Sequence, residues 1–278
     1  MIRLWLALLL ATMYGCSPMI ATDNSTLRYF KKRGLECNIQ LDSIYDHPLR
    51  WVEVSTLNKD TLPIVLFVHG APGSANNFYD FLADTSLLNQ ARLISVDRLG
   101  YSPYDQGESV VSIQKQSDAL VKILSHYQYP WLIVVGHSYG GPIVSNFAID
   151  NPEKVKAALL LAPALDPENE KILGIAKLTK WKATKWMAPD LFMVATDEKN
   201  AHVEQLNILL PKWEHVSVPF IHLHGTKDGL VPYENIKFSK TVIPSEFLQI
   251  ISIKNGDHLL PWSETELVKK EVLKWLTN

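Results

Sequence analysis

The chain has 278 residues, of which 47% are hydrophobic and 20% are charged, and its formal net charge is −2. These values are typical of a globular protein with one large core and room for an inserted subdomain. Because the net charge is close to zero, no overall field would gather nucleic acid, and we expect no nucleic-acid partner.

The N-terminal stretch MIRLWLALLLATMYGC differs from the rest of the chain. It carries one positive charge, at Arg3, and an uncharged run follows from Leu4 to Thr22. The apolar part of that run has the length of the hydrophobic region in a signal peptide. The whole run could just span a bilayer, but glycine, serine and proline interrupt its second half. We therefore expect a signal peptide over residues 1–15.

The end of this stretch, Met13-Tyr14-Gly15-Cys16, resembles a bacterial lipobox. The resemblance implies cleavage before Cys16, lipidation of its thiol, and a membrane partner through that N-terminal anchor. Ser17 resembles the residue that follows the cysteine in outer-membrane lipoproteins, which implies the periplasmic side of a bacterial cell envelope. A plain cleaved signal, an uncleaved anchor and a cytosolic protein are the alternatives. With Cys16 lipidated, Cys37 has no disulfide partner within the chain.

Apolar runs separated by helical segments organise the remaining chain. Most of the later runs are nearly continuous in Val, Ile and Leu, which is typical of strands buried on both faces of a parallel sheet. The predicted strands are Arg50–Thr56, Ile64–Val68, Leu93–Val96, Trp131–Val135, Val155–Leu161, Phe220–Leu223 and Phe247–Ile253. Val110–Tyr127 has one apolar side and is predicted to be a helix. The capping-box pattern at Ser263–Glu266 predicts a last helix that runs to Leu276.

One region, from about Glu168 to Val218, has no strand signal and is too long for a loop. These patterns predict an α/β fold with a mostly parallel, doubly wound sheet and an inserted helical cap. We assign residues 16–48 to an N-terminal segment, 49–167 and 218–278 to the core, and 168–217 to the cap.

A nucleophile is predicted at Ser138, within Gly136-His-Ser-Tyr-Gly. This G-x-S-x-G pattern follows a buried strand and precedes a helical segment, Tyr139 to Asp150, which is the context of a nucleophile elbow. Side chains at the two glycines would collide with the neighbouring strand and helix. The turn would project the serine hydroxyl above the carboxyl edge of the sheet, where open α/β sheets bind ligands. The Tyr139 N–H, at a helix N-terminus, is a candidate oxyanion donor. The alternative is an ordinary turn.

The base and acid are sought at the ends of later strands. His258 follows Phe247–Ile253 and is the predicted base, and Asp228 follows Phe220–Leu223 and is the predicted acid. Asp166, after another strand, is the rival acid, whereas Asp257 is too close to His258 in sequence to face it productively. The order Ser, Asp, His is that of α/β-hydrolases.

The second oxyanion donor is expected in His69-Gly-Ala-Pro-Gly, the loop that follows Ile64–Val68. Its glycines allow a close backbone approach, and the Ala71 N–H is the candidate. We expect His69 to brace this loop. In Asp97-Arg-Leu-Gly-Tyr-Ser, we expect Asp97 and Gly100 to shape a turn and Arg98 to brace it.

Together these motifs, with Leu223-His-Gly-Thr-Lys-Asp and Gly256-Asp-His, resemble the α/β-hydrolase superfamily, and within it the cap-bearing serine esterase and peptidase branch. The resemblance implies a serine hydrolase that forms an acyl-enzyme on a small-molecule acyl substrate without a cofactor. Carboxylic esters are the first expectation. Amides or peptides, C–C bonds beside a ketone and peracid formation are alternatives, and so is a non-catalytic binding protein. Serine at position 138 argues against the relatives that use an aspartate nucleophile, the haloalkane dehalogenases and epoxide hydrolases.

Two further patterns have competing interpretations. His222 and His224 alternate along one strand face with His215 nearby, but the third ligand and supporting contacts of a zinc site are not evident, so we expect no metal. Lys171–Met187 carries five lysines, two tryptophans and no acidic residue. It is either a basic lip that meets membrane or acidic substrates, or a solvated helix face, which we favour.

Overall fold

An eight-stranded sheet forms the centre of the molecule. The computed structural model describes residues 20–56, 62–105, 107–170 and 190–277. The strands are β1 (Asn38–Ile44), β2 (His47–Val54), β3 (Ile64–Val68), β4 (Arg92–Asp97), β5 (Leu132–His137), β6 (Val155–Leu161), β7 (Phe220–Gly225) and β8 (Leu248–Ile253). Their order is β1-β2-β4-β3-β5-β6-β7-β8. β2 pairs antiparallel with β1 and β4, and the other pairs are parallel, so the predicted mostly parallel sheet is confirmed.

Each of the predicted strands is present, and β3 and β6 have the predicted bounds. The sequence does not predict β1, which pairs with β2 at the edge of the sheet. All its residues are exposed or half-buried. A strand in that position contains no continuous apolar run, so the signal that marks buried strands is missing.

Helices cover both faces of the sheet. Those of the described residues are α1 (Asp23–Lys31), α2 (Tyr79–Leu82), α3 (Thr85–Leu88), α4 (Ile113–Leu124), α5 (Gly140–Asp150), α6 (Asp190–Leu209), α7 (Asn235–Val242), α8 (Leu260–Ser263) and α9 (Thr265–Thr277). α4 and α5 pack on one face, and α1, α2, α3 and α9 on the other. Val134 and Val135 are fully buried, one in each core. Burying such a side chain contributes about 1.5–3 kcal/mol.

Two helix starts differ from the prediction for local reasons. α4 begins at Ile113 because the Ser112 side chain accepts a hydrogen bond from the Lys115 N–H and so caps the helix. The predicted capping box at Ser263 is wrong. Ser263 instead ends α8, and its hydroxyl donates to the Leu259 carbonyl at 3.1 Å. The last helix, α9, therefore begins two residues later, at Thr265.

The described part of the predicted cap is helical. It consists of α6 and a 3₁₀ turn, Leu210–His215. Leu206 and Leu209 pack into the core beside α4 and α5, and Val194 packs against Tyr101. The lysine-rich stretch 171–187 lies outside the described residues, as do the predicted signal peptide and Cys16. The domain bounds stay a prediction. Across the described ranges, no helix combines the length and apolarity that a membrane crossing needs.

Candidate active site

Ser138 lies in a strained turn between β5 and α5. Its φ of 53° is in the left-handed region, which costs a non-glycine residue about 1–3 kcal/mol. The Ser138 N–H donates to the Leu161 carbonyl at 2.9 Å, and the Ser138 carbonyl accepts from the Gly141 N–H at 2.9 Å. These bonds to the neighbouring strand and helix hold the turn in place.

The two glycines of the elbow allow strand, turn and helix to pack closely. A Cβ at Gly136 would lie 2.5 Å from the Gly140 carbonyl oxygen. A Cβ at Gly140 would lie 2.4 Å from the carbonyl oxygen of Val68 at the end of β3. Neither contact is sterically possible unless the backbone moves. The prediction that side chains at Gly136 and Gly140 would collide with the neighbouring strand and helix is therefore confirmed.

The structure brings Ser138, His258 and Asp228 together. His258 Nε2 is 2.9 Å from Ser138 Oγ, and His258 Nδ1 is 2.7 Å from Asp228 Oδ2. Since a carboxylate only accepts, Nδ1 carries the hydrogen and Nε2 is left with a lone pair for the serine hydroxyl. His258 stands in the turn after β8 and Asp228 in the turn after β7, as the sequence predicts.

Asp228 is held as a carboxylate by several donors. Its Oδ1 accepts from the N–H groups of Leu230 and Val231, both at 2.8 Å. Burial alone would raise the pKa of Asp228, but hydrogen bonds from His224 and His258 outweigh it and hold the pKa well below its ordinary value. The group is therefore ionised at neutral pH and can stabilise an imidazolium at His258.

His137, inside the elbow motif, has a role that the sequence analysis missed. Burial lowers its pKa to about 3, so its imidazole is neutral at neutral pH. Its Nε2 donates to the backbone carbonyl of His258 at 2.9 Å, and the two ring centroids are 4.9 Å apart. His137 thus fixes the backbone of the candidate base. The only sequence feature that points to this role is the position of His137 directly before Ser138.

The two predicted oxyanion donors flank the serine. Tyr139 is the N-cap of α5, so its N–H points from the positive end of a helix. A Cβ at Gly70 would lie 2.9 Å from Ser138 Cβ, which shows how closely the loop that carries Ala71 passes the serine. Within the described residues, no group accepts a hydrogen bond from the N–H of Ala71 or Tyr139. Both residues line the pocket beside Ser138 and His258.

Arg98 and His69 brace the loop that carries Ala71. The sequence predicts this role for His69, whereas it predicts that Arg98 braces its own turn. His69 is fully buried, and its Nε2 accepts from the Arg98 N–H at 3.1 Å. The Arg98 guanidinium donates to the carbonyls of His69 and Gly70, both at 3.0 Å. Asp97 does more than shape a turn, because its buried carboxylate pairs with Arg50 of β2 at 2.6 Å.

The guanidinium of Arg98 is paired with Glu198 of α6, which the sequence analysis did not single out. Glu198 is fully buried, with Oε2 3.0 Å from Arg98 Nη2, and it makes a second contact with Nη1. The Tyr101 hydroxyl donates to the same carboxylate at 2.6 Å. This cluster ties α6 of the predicted cap to the loop that carries Ala71. The sequence could have indicated that Arg98 has an acidic partner, because a buried arginine needs a counter-charge.

Sequence comparison gives partial matches to known proteins. A family model described as "alpha/beta hydrolase fold" matches residues 63–191. A proline iminopeptidase from Lactobacillus delbrueckii subsp. bulgaricus is 28% identical over 106 residues, which cover 36% of this chain and 36% of that protein. A 1-acylglycerol-3-phosphate O-acyltransferase from Arabidopsis thaliana is 25% identical over 151 residues, 49% of this chain and 33% of that protein. The chain thus covers about a third of the length of these relatives.

Structural comparison extends the match over the whole chain. The crystal structure of a membrane phospholipase A, described as a bacterial virulence factor, superposes with a TM-score of 0.64 at 18% identity, covering 100% of both chains. The chain has the α/β-hydrolase fold. The predicted fold class is thereby confirmed.

In this α/β-hydrolase fold, the rival acids lie in other contacts. Asp166 accepts from the Glu168 N–H at 2.9 Å and from Asn169 Nδ2 at 2.7 Å, within its own turn. Asp257 accepts from the Leu259 N–H at 2.9 Å. Asp228 is the carboxylate that contacts His258.

The histidines weighed as metal ligands do not converge on a common point. His215 is exposed, on the 3₁₀ turn after α6, and lies 3.5 Å from Glu214. His222 and His224 are fully buried and hydrogen-bond to each other. Within the part of the chain that the structure describes, no group of three or more metal-type ligands is positioned to hold an ion.

A pocket of about 160 Å³ opens beside Ser138 and His258 in the α/β-hydrolase core. Most of its wall is apolar, formed by Ala71, Pro72, Ala164, Phe192, Ala195, Leu230 and Val231. Its polar side consists of Glu170, Thr196, Lys199 and His202. Glu170 contacts Lys199, and burial lowers the pKa of His202 to about 4, so that imidazole is neutral at neutral pH. The pocket can accept an apolar acyl group next to the serine.

Proposed function

We propose that the protein is a serine hydrolase that works through an acyl-enzyme, with Ser138 as nucleophile, His258 as base and Asp228 as the acid that orients it. The observation that carries this proposal is the continuous hydrogen-bonded path from Asp228 through His258 to Ser138, with distances of 2.7 and 2.9 Å. A serine hydroxyl is a weak nucleophile without an adjacent base, and this path supplies one.

In the proposed mechanism, His258 Nε2 takes the Ser138 proton as Oγ bonds to the carbonyl carbon of the substrate. The N–H groups of Ala71 and Tyr139 donate to the developing oxyanion, and each such donor is worth roughly 10²–10³ in rate. The imidazolium then protonates the leaving group as its bond to the acyl carbon breaks. His258 next takes a proton from a water molecule as the water oxygen bonds to the acyl carbon. The bond from that carbon to Ser138 Oγ then breaks, which releases the acid, and the imidazolium returns its proton to Oγ. No step requires a cofactor.

Carboxylic esters are the proposed substrate class. The apolar wall of the pocket suits an acyl chain, and a structural neighbour of the same fold is a phospholipase A. Amide or peptide hydrolysis is the second candidate, because one sequence relative is a proline iminopeptidase. A panel of acyl esters and amides scored by kcat/KM separates the substrate classes.

Fluorophosphonate labelling combined with p-nitrophenyl acetate turnover tests the function. We expect Ser138→Ala to lose labelling and to lose turnover by roughly 10⁴–10⁶-fold, with folding intact. Ser145→Ala is the matched control, because Ser145 is a buried serine of the adjacent helix whose hydroxyl donates to the Gly141 carbonyl at 2.9 Å. That variant should be labelled. Unchanged turnover in Ser138→Ala would remove the proposed nucleophile, and an unlabelled wild type would indicate a binding protein.

We also propose that residues 1–15 are a signal peptide, that Cys16 is lipidated, and that the enzyme is anchored in a bacterial cell envelope, on the periplasmic side of the outer membrane. The support is the lipobox-like sequence Met13-Tyr14-Gly15-Cys16. Mass spectrometry of the mature N-terminus tests this proposal. A lipid-modified Cys16 is expected, and an intact Met1 would refute it.

A further inference from the structure

His222 and His224 form a buried row of two imidazoles that ends at Asp228, the carboxylate that contacts His258. His222 and His224 stand two residues apart on β7, so both point to the same face of the sheet, and both are fully buried. His222 Nε2 is 3.0 Å from His224 Nδ1. His224 Nε2 lies 3.3 Å from Asp228 Oδ2, the oxygen that also contacts His258. The proposed mechanism does not use His222 or His224.

The hydrogen-bond acceptors around His222 and His224 determine which ring nitrogens carry hydrogen. His224 Nε2 faces Asp228 Oδ2 and the Val231 carbonyl oxygen, at 3.3 and 3.2 Å, and neither oxygen can donate. Nε2 of His224 therefore carries a hydrogen. Burial, with a smaller contribution from His224, lowers the pKa of His222 well below its ordinary value, so His222 is neutral and carries one ring hydrogen.

The far end of the row is closed by Ser239 of α7. The Ser239 hydroxyl is 2.8 Å from His222 Nδ1. With His222 Nε2 donating to His224 Nδ1, His222 Nδ1 is left to accept the Ser239 hydrogen. The donations then run in one direction, from Ser239 through His222 to His224, whose Nε2 hydrogen is shared between the Val231 carbonyl oxygen and Asp228 Oδ2. In the opposite direction, a lone pair on His224 Nε2 would face the carboxylate, which is repulsive.

We propose that His224 is a positioning residue for the triad: its Nε2–H shares Asp228 Oδ2 with His258, holds the carboxylate rotamer and limits how strongly Asp228 favours a proton on His258. The inference rests on the proposed function of Ser138, His258 and Asp228. Oδ1 is already fixed by the N–H groups of Leu230 and Val231, so the His224 donor acts on the oxygen that faces the base. His222 and Ser239 hold the ring of His224 in the donating orientation.

The pH dependence of kcat/KM reports this role. Among the residues that the structure describes, the titratable groups that face the Asp228–His258 pair are His137 from β5 and His224 from β7. His222 and the Tyr233 ring in turn face His224, Tyr233 with its centroid 5.8 Å away. His224→Phe removes the donor, so Asp228 Oδ2 faces His258 without a competing N–H group and the imidazolium is stabilised. We expect the acid limb of the profile to move to higher pH by about 0.5–1 unit.

Two further variants separate this effect from a loss of packing. His224→Gln keeps an N–H donor and should restore the acid limb toward its wild-type position. Ile221→Ala is the control, because Ile221 is a fully buried residue of the same strand whose side chain points to the opposite face. It should lower the melting temperature without moving the limb, once turnover at each pH is divided by the folded fraction of the protein. KM should change little in His224→Phe, since His224 does not line the pocket.

An acid limb that stays at the wild-type pH in folded His224→Phe overturns the inference, as does an equal shift in Ile221→Ala. If His224→Phe does not fold, ¹⁵N spectra of the wild-type imidazoles decide the matter. A hydrogen on His224 Nε2 is expected, and a bare Nε2 overturns the inference. Turnover that survives in Ser138→Ala would defeat the proposed function instead, and the ¹⁵N measurement would still report whether His224 Nε2 carries the hydrogen that the inference requires.

Discussion

Replacing Asp228 with asparagine tests the contact between acid and base, because the neighbouring donors dictate how the amide must sit. Asp228 Oδ1 accepts from the N–H groups of Leu230 and Val231, both at 2.8 Å. An asparagine that keeps these bonds places its oxygen there and turns its NH₂ group toward His258 Nδ1. Since NH₂ is a donor, Nδ1 must become an acceptor and the ring hydrogen must move to Nε2. That tautomer cannot take the Ser138 proton.

The expected loss is large and falls on kcat. A base held in the wrong tautomer by this substitution costs about 10⁴ in kcat, which is about 5.4 kcal/mol of transition-state stabilisation. KM should change little, because Asp228 does not line the pocket. Steady-state turnover of p-nitrophenyl acetate at neutral pH measures both constants.

Asp166→Asn is the matched control. Asp166 accepts hydrogen bonds from the Glu168 N–H and Asn169 Nδ2, at 2.9 and 2.7 Å, and an amide can keep one of these contacts through its oxygen. Its kcat should stay near the wild-type value. If Asp166→Asn lost activity and Asp228→Asn kept it, the assignment of the acid would be wrong.

Two further predictions concern stability. Glu198→Gln leaves the buried Arg98 without its counter-charge, which costs about 3–5 kcal/mol of stability. The melting temperature should fall by about 6–20 °C. Calorimetry that shows the wild-type melting temperature in this variant would contradict the ion pair. Burial lowers the pKa of His137 and His202 to about 3 and about 4. Unfolded histidines titrate near 6.5, so acidification below about pH 6.5 should reduce the free energy of unfolding by about 1.4 kcal/mol per histidine per pH unit. Denaturant titrations at pH 7 and 5 measure this slope, and equal stabilities would refute it.

Much of the fold follows from the sequence because its signals are local. The runs Ile64–Val68 and Val155–Leu161 are apolar throughout, and both strands have the predicted bounds. Ser138, Asp228 and His258 were found from their places at strand ends, and the structure brings the three side chains together, although their chemical roles stay predictions. The edge strand β1 lacks a continuous apolar run and was missed.

The missed contacts join residues that are distant in sequence. Arg98 and Glu198 are separated by 100 positions, and no local pattern connects them. His222 and His224 were noticed as a pair on one strand face, but their partners, Ser239 and Asp228, depend on how α7 and the turn after β7 fold back. A sequence shows that buried polar groups need partners, whereas only the packing of the elements decides which partners they receive.

Acid can act on the proposed activity through two separable effects, and their separation decides how a pH–rate profile is interpreted. His137 and His222 are buried as neutral imidazoles, so the unfolded chain binds more protons than the native one below about pH 6.5. The native fold is therefore weakened as the pH falls, so a loss of turnover in acid would combine unfolding with protonation of the proposed base. A substitution that only destabilises the core, such as Ile221→Ala, brings unfolding to higher pH but does not change the charge on Asp228. Near-UV circular dichroism at each pH gives the folded fraction, and turnover divided by that fraction isolates the chemistry of the Asp228–His258 pair.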